Sequence, residues 1–331
     1  MRRVLAPLRL EGALTRCIAA LDYWILFTVR LSQRPGPWIA LHRLLSVPLL
    51  LRIDQHRLEL EQGGGRIRVR CRTRSSQLGG LLPGAAAAEA GSAAAANPDP
   101  DLEIVQVHPW TAPWWRRRGW LMVPAFVRYQ GSLDSVPPAR PSKLLRRNLA
   151  RAVRSGFRPR PGDNADWERA RAITESWARA RFGSDVWFPP EHAWTRMRRH
   201  GRVIMIGDGA RDVATVIVVS AGGGEAWLGP LGIAGGDHAL LRAGALTAAY
   251  AAAVEMARRC GASTFDSGRC SARADDGIAA YKRRWGFRPN ADPLSPLYAL
   301  RARTPAGERF LATLPLWTLG PGAALRRVGP D

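Results

Sequence analysis

The chain has 331 residues, more than one compact core usually holds, so one large domain or two smaller ones fit it. Hydrophobic residues make up 46% and charged residues 23%, which excludes wholesale disorder, collagen and a long coiled coil. Lysine and arginine number 49 against 27 acidic residues, and the resulting formal charge of +22 favours anionic partners: nucleic acid, acidic protein, a phosphate-rich cofactor or an anionic membrane surface. All the basic residues except Lys143 and Lys282 are arginine. With Ala, Gly, Pro and Trp abundant, that also fits a coding bias that leaves no more than a solvated basic surface.

Cys17, Cys71, Cys260 and Cys270 show no C-x-x-C spacing, and His192 and His200 stand outside an H-E-x-x-H frame. Neither a zinc site nor a disulfide framework is expected, and the expected compartment is a reducing cytoplasm. The chain begins Met1-Arg2-Arg3 with no clean signal peptide after it. The apolar run 17–29 is interrupted by Asp22 and closed by Arg16 and Arg30, too short to span a bilayer. A buried or interfacial helix is expected over 13–31.

Strands are expected at 49–60 and 66–73, joined as a hairpin by Gly63-Gly64-Gly65. Residues 79–100, rich in Ala, Gly and Pro, read as a mobile loop. Strands at 102–107 and 120–129 flank His108-Pro109-Trp110-Thr111-Ala112-Pro113-Trp114-Trp115 and Arg116-Arg117-Arg118. Aromatics beside a basic cluster either stack bases or sugars, or cover the edge of a core. After Pro137, Pro138 and Pro141, residues 142–155 set leucines and Val153 on one helical face and arginine on the rest, a basic connector helix.

The second half is more regular. Asp163 or Asn164 caps a helix to Arg181, Pro190 starts a short one to about His200, and strands follow at 202–207, 212–220 and 225–231. Gly222-Gly223-Gly224 turns the second of these into the third. A glycine-rich loop (Gly232, Gly235, Gly236) leads into an Ala-rich helix over 238–259, ended by Gly261. A strand over 262–266 runs into Ser267-Gly268-Arg269, Asp275 caps a helix over 276–285 closed by Gly286, and a strand over 294–301 precedes a C-terminal helix and tail. Hairpins joined to one strand–helix–strand crossover make a mixed sheet flanked by helices, an α/β fold. The expected organisation is an N-terminal half over 1–135, a basic connector over 136–161, the main domain over 162–305 and an apolar tail over 306–331.

This order, together with Phe265-Asp266-Ser267-Gly268-Arg269 and Tyr281-Lys282-Arg283-Arg284-Trp285-Gly286, resembles the GNAT acyltransferase superfamily. The likeness is strongest to its Fem-type and CelD-like branch of cell-envelope acyl and aminoacyl transferases. In that branch a strand ending in D-x-G precedes a helix carrying Y/F-K-x-x-W/F-G. Leu145-Arg146-Arg147-Asn148-Leu149 and Pro315-Leu316-Trp317 also look like it. The resemblance spans residues 140–320 and implies a GNAT-like fold, with 1–135 as a divergent first half of a tandem pair. It further implies metal-free transfer of an acyl group from an activated donor to an amine or hydroxyl of a cell-envelope or polysaccharide precursor. Acyl-CoA, acetyl-CoA above all, is the first donor to consider; acyl carrier protein and aminoacyl-tRNA are the alternatives, and these polyanions suit the positive charge. One loop departs from the family. Its Q/R-x-x-G-x-G/A phosphate nest becomes Leu231-Gly232-Ile233-Ala234-Gly235-Gly236-Asp237-His238, without the Gln or Arg and with an acidic Asp237.

Direct acyl transfer needs positioning, oxyanion stabilisation and proton removal rather than an enzyme nucleophile. A chain that uses arginine wherever a cation suffices keeps Lys282 for a compact ammonium in a confined place, which the resemblance sets facing the acyl or phosphate region; the plain alternative is a surface lysine. Asp266, at the C-terminal end of a strand, accepts a proton or orients an amine, or else caps a turn or pairs with Arg269. Glu225 is a candidate general base, with Trp227 flanking the donor on the same strand. Gly235, Gly236, Ser267, Gly268, Arg269, Tyr281, Arg284 and Trp285 complete the expected donor and substrate set. Within it Arg269 and Arg284 suit phosphates, Trp285 also reads as core packing, and Gly268 and Gly286 serve backbone shape. A rival reading is a non-catalytic basic protein on RNA or an anionic membrane, using Trp110, Trp114 and Trp115 or a peripheral contact of the apolar tail 310–325. A degenerate GNAT scaffold is a third. No G-x-S-x-G elbow, P-loop or dinucleotide fingerprint is present.

Overall fold

The computed structural model describes residues 37, 40, 55–62, 65–72, 100–183, 188–220, 224–321 and 324–330. The helix expected over 13–31, the loop over 79–99 and the glycines at 63–64 and 222–223 lie outside the described residues. Two compact units form. The first comprises Met1–Trp38, Gln130–Gly268 and Arg284–Phe287, the second Ile39–Tyr129, Arg269–Arg283 and Arg288–Asp331.

In chain order the described elements begin with β1 (Gln55–Gln62), β2 (Gly65–Arg72), β3 (Leu102–Val107), α1 (Ala112–Arg117), β4 (Leu121–Pro124) and β5 (Phe126–Ser132). Then come α2 (Lys143–Arg154), β6 (Arg158–Pro161), α3 (Asp166–Phe182), α4 (Glu191–His200), β7 (Gly201–Gly207), β8 (Asp212–Ser220) and β9 (Glu225–Ile233). The remainder is α5 (His238–Ala243), α6 (Ala245–Arg259), β10 (Thr264–Ser271), α7 (Gly277–Arg284), β11 (Arg288–Ala291), β12 (Leu297–Ala302), α8 (Pro305–Thr313), β13 (Leu316–Leu319) and β14 (Leu325–Val328).

The fold is mixed α/β. In the first unit β6, β7, β8 and β9 form an antiparallel meander, and β10 joins β9 in parallel after the α5–α6 crossover. Every residue from Val213 to Val219 on β8 is buried, so both faces of that strand are covered. Trp167, Ala170 and Ile173 of α3 share one core cluster with Trp194, Met197, Val203, Met205, Ile217, Val219 and Trp227, while α6 packs on β7, β8 and β9.

In the second unit the sheet order is β1-β2-β3-β12-β4, with β12 antiparallel to both β3 and β4. Val107, Ala112, Trp120, Met122, Leu297 and Ala299 make its core cluster. Phe310, Leu314 and Leu316 of the apolar tail are buried, and β13 and β14 pair as a hairpin.

Several expected boundaries move, each for a local reason. The strand expected over 120–129 is two strands parted at Ala125. The aromatic stretch before it coils into a tight 3-10 turn at Pro109–Thr111 and then α1, because each proline falls in a first helical turn, where its missing N–H costs nothing. The helix expected over 238–259 breaks at Gly244, whose φ is 102° and whose added Cβ would sit 3.1 Å from the Ala152 backbone of α2. The strand expected over 262–266 runs on to Ser271.

Helix α3 lies close against β9. A Cβ at Gly232 would lie 2.6 Å from Thr174 Cα and 2.8 Å from its N, backbone atoms that cannot swing aside. Gly232→Ala is therefore expected to destabilise the chain by about 1–3 kcal/mol, read as a lowered midpoint in urea at unchanged m-value. The start of α3 is held by charge. Arg160 grips Asp166 through both carboxylate oxygens (2.7 and 2.9 Å), and Arg160 and Arg169 share Asp212. These bonds hold the Asp166 carboxyl at about 2. Its stabilising contribution is full above about pH 4, the ordinary carboxylate value, and is lost as pH falls through about 2. Asp166→Asn is expected to unfold earlier than wild type at pH near 7, the gap closing as both are taken through that acid window in urea melts.

Candidate active site

The parallel pairing of β9 and β10 is short. It covers Thr264↔Glu225, Phe265↔Ala226 and Asp266↔Trp227 only. Past that point β9 stays with β8 as far as Ala214↔Ile233, while β10 continues without it. The two strands part at the D-x-G motif, and the half-buried edge Leu228–Leu231 of β9 meets no further β10 partner. A bulge sits on this edge, where Ile217 of β8 opposes both Gly229 and Pro230. An added Cβ at Gly229 would press on Ile217 at 3.2 Å, and Pro230 has no N–H to give a ladder. A strand edge that is open among the described residues can take an extended amide-bearing chain as one more strand, and its N–H groups can stabilise charge on a carbonyl oxygen.

Asp266 is fully buried at the parting point, and its Oδ1 accepts from Gly268 N at 2.8 Å. Gly268 has φ 86°, a conformation that favours glycine, so the D-x-G motif is a side-chain-capped twist of the strand. Ser267 is buried between them. Glu225 stands at the closed end of the pair, about 10 Å along the strand from Leu228, and accepts from Gln130 Nε2 at 3.1 Å. Trp227 lies in the core cluster with Trp167 and Trp194. Trp285 is buried with its ring 5.8 Å from Tyr250, and Arg284 is exposed at the end of α7.

In the second unit Lys282 is buried on α7, where Nζ donates to the Arg269 carbonyl at 3.2 Å and lies 5.9 Å over the Tyr129 ring. Arg283 reaches Tyr129 Oη at 3.3 Å and the Ala274 carbonyl at 2.8 Å. Burial pushes the Cys270 thiol up, and the Lys282 ammonium beside it pulls the other way. Lys282 thus ties α7 to the outgoing end of β10. Arg269 is engaged by the Asp292 carboxylate, and Tyr281 is half-buried. The sequence-selected residues therefore gather as two groups: Trp227, Asp266, Ser267 and Gly268 at the parting strands, and Lys282 with Arg269 in the second unit.

The glycine-rich loop after β9 does not fit a CoA diphosphate. Gly235 N donates to Ser176 Oγ at 3.1 Å, Ala239 N to the Asp237 carboxylate at 2.6 Å, and Asp237 N to the Ala234 carbonyl at 3.2 Å. Three amides of the loop, those of Gly235, Asp237 and Ala239, already have acceptors, and Asp237 adds a negative charge beside them. Gly232 and Gly236 answer to packing instead, since a Cβ at Gly236 would strike Ala180 of α3 at 2.5 Å and one at Gly232 would strike Thr174. Sequence reading missed the Gly229-Pro230 bulge, although glycine next to proline inside a strand is its signal. Asp237→Ala is expected to cost about 1 kcal/mol by orphaning the Ala239 amide, with Asp237→Asn recovering most of it in the same denaturation assay.

No protein-family model matches the chain, and no curated protein matches it either. Among solved structures it is similar to the C-terminal domain (DUF2156) of a putative lysylphosphatidylglycerol synthetase from Agrobacterium fabrum, with 12% identity, 88% of this chain and 95% of that one covered, and a TM-score of 0.43. It is also similar to FemX, with 10% identity, 78% and 90% covered and a TM-score of 0.37. A GCN5-related N-acetyltransferase from Kribbella flavida is similar at 18% identity, with 64% and 70% covered and a TM-score of 0.34.

Proposed function

We propose that the chain is an acyltransferase that moves an acyl or aminoacyl group from an activated thioester or ester to an amine or hydroxyl of a cell-envelope or polysaccharide precursor. The parting of β9 and β10 beyond Trp227↔Asp266, with the bulge at Gly229-Pro230, carries this reading. The donor's extended arm lies along the open edge of β9 as an added strand. The acceptor heteroatom attacks the donor carbonyl carbon, the bond to the leaving sulfur or oxygen breaks, and the acceptor's proton is lost to solvent or to the leaving group. Backbone N–H groups of β9 stabilise the oxyanion. Asp266 acts as a positioning residue by holding Gly268, and Lys282 as another by holding the end of β10.

The occupied loop supports a macromolecular carrier, an acyl carrier protein or a tRNA, over free acyl-CoA as donor. The charge of +22 suits either polyanion. Among the described residues no helix is long and apolar enough to cross a membrane.

The test is a transfer assay read by intact mass. The purified chain meets a pool of amine and sugar-amine acceptors with acetyl-CoA, acyl carrier thioesters and aminoacyl-tRNA supplied in turn. A product with a carrier-borne donor is expected, with kcat falling at least about tenfold in Asp266→Asn and in Lys282→Met while KM changes less. Absence of product from every donor, with the protein folded, overturns the reading in favour of a binding or scaffold role.

A further inference from the structure

The aromatic and basic stretch 108–120 has no part in the proposed transfer, and its geometry is specific. His108 Nδ1 accepts from Trp110 N at 3.3 Å and sets the turn that leads into α1. Trp110 is 55% exposed and Trp114 47%, far more than indoles that serve only a core. Neither is loosely held. Trp114 meets Trp115 edge-on at 4.8 Å, and Trp115 meets the buried Trp120 in the same way at 4.9 Å, so the exposed ring is rooted in the core by an aromatic chain. Arg118 lies 3.7 Å over the Trp114 ring, and Arg117 is exposed beside it. Residues 104–133 contain no Asp or Glu, and among the described residues no carboxylate pairs with Arg116, Arg117 or Arg118.

We propose that residues 108–118 dock on an anionic lipid bilayer, with Trp110 and Trp114 at the headgroup level and Arg117 and Arg118 on lipid phosphates. Indoles with an apolar body and a polar N–H suit that layer, and guanidinium groups bind phosphate oxygens in pairs. A basic patch next to the membrane gains further from the negative surface potential. Single-stranded nucleic acid fits less well, because stacking a base needs an open ring face. Arg118 covers a face of Trp114, and His108 sits 4.6 Å from the Trp110 ring.

The experiment is sedimentation of the full chain with vesicles of phosphatidylcholine alone and of phosphatidylcholine with phosphatidylserine. The variant Trp110→Ala/Trp114→Ala leaves the net charge unchanged, so it separates this patch from the general attraction of a basic protein. Wild type is expected on the anionic vesicles only, and the double variant to partition about tenfold more weakly at physiological salt. Arg117→Glu/Arg118→Glu, which keeps both rings, is a second probe. It is expected to lose more binding than Arg146→Glu/Arg147→Glu, an equal charge change on the exposed face of α2. Wild-type partition in the tryptophan variant, equal losses in the two charge reversals, or no binding of wild type to anionic vesicles would each overturn the proposal. A loss of polynucleotide binding in the tryptophan variant with vesicle binding intact would transfer the patch to nucleic acid.

Discussion

The first unit depends on how closely α3 lies against β9 and the loop that follows it. Gly232 and Gly236 have no side chain because Thr174 and Ala180 occupy that space, and Ser176 binds the amide of Gly235. One helix thereby fixes the course of β9 along its length. The bulge at Gly229-Pro230 lies where β9 keeps β8 as its partner after its pairing with β10 has ended. The same clamp fills the loop that a diphosphate would need.

Carboxylates and one buried lysine in this molecule serve to shape backbone. Asp266 caps Gly268, Asp166 and Asp212 gather Arg160 and Arg169 at the start of α3, and Lys282 binds a carbonyl and a ring. Each group would be costly without its partners, and each fixes a turn or a helix end that apolar contacts alone leave undetermined.

Much of this is legible in the amino-acid order. Apolar runs and glycine turns give β7, β8 and β9, while β6 (Arg158–Pro161) falls inside the expected connector and is not foreseen; capping residues and prolines give the ends of α2, α3 and α4 close to where they fall. The retained lysine at 282 reads as a confined cation, and it is buried. What stays hidden is what depends on partners distant in sequence. Trp227 looks like a strand residue beside a site, yet its place is decided by Trp167 and Trp194, which no local pattern announces. Arg269 looks ready for phosphate until Asp292 is found against it. The break at Gly244 follows from the approach of Ala152, nearly a hundred residues earlier by chain order, and periodicity within the helix carries no trace of it.

The place of β12 has a consequence for how the molecule is made. Its neighbours β3 and β4 are synthesised early, and the bond from Arg303 to Glu103 closes a separation of 200 residues. Until the C-terminal segment leaves the ribosome, β3 and β4 each wait with an unfilled edge, exposed to pairing with another chain. Ordering such distant partners is slow, because loop closure must precede any contact that rewards it. Strands β6–β9 pair over shorter separations, the widest being Arg158↔Gly207, and can form while that gap is still open. Synthesis speed and chaperone access while residues 125–302 are made therefore bear on the yield of the second unit far more than on that of the first.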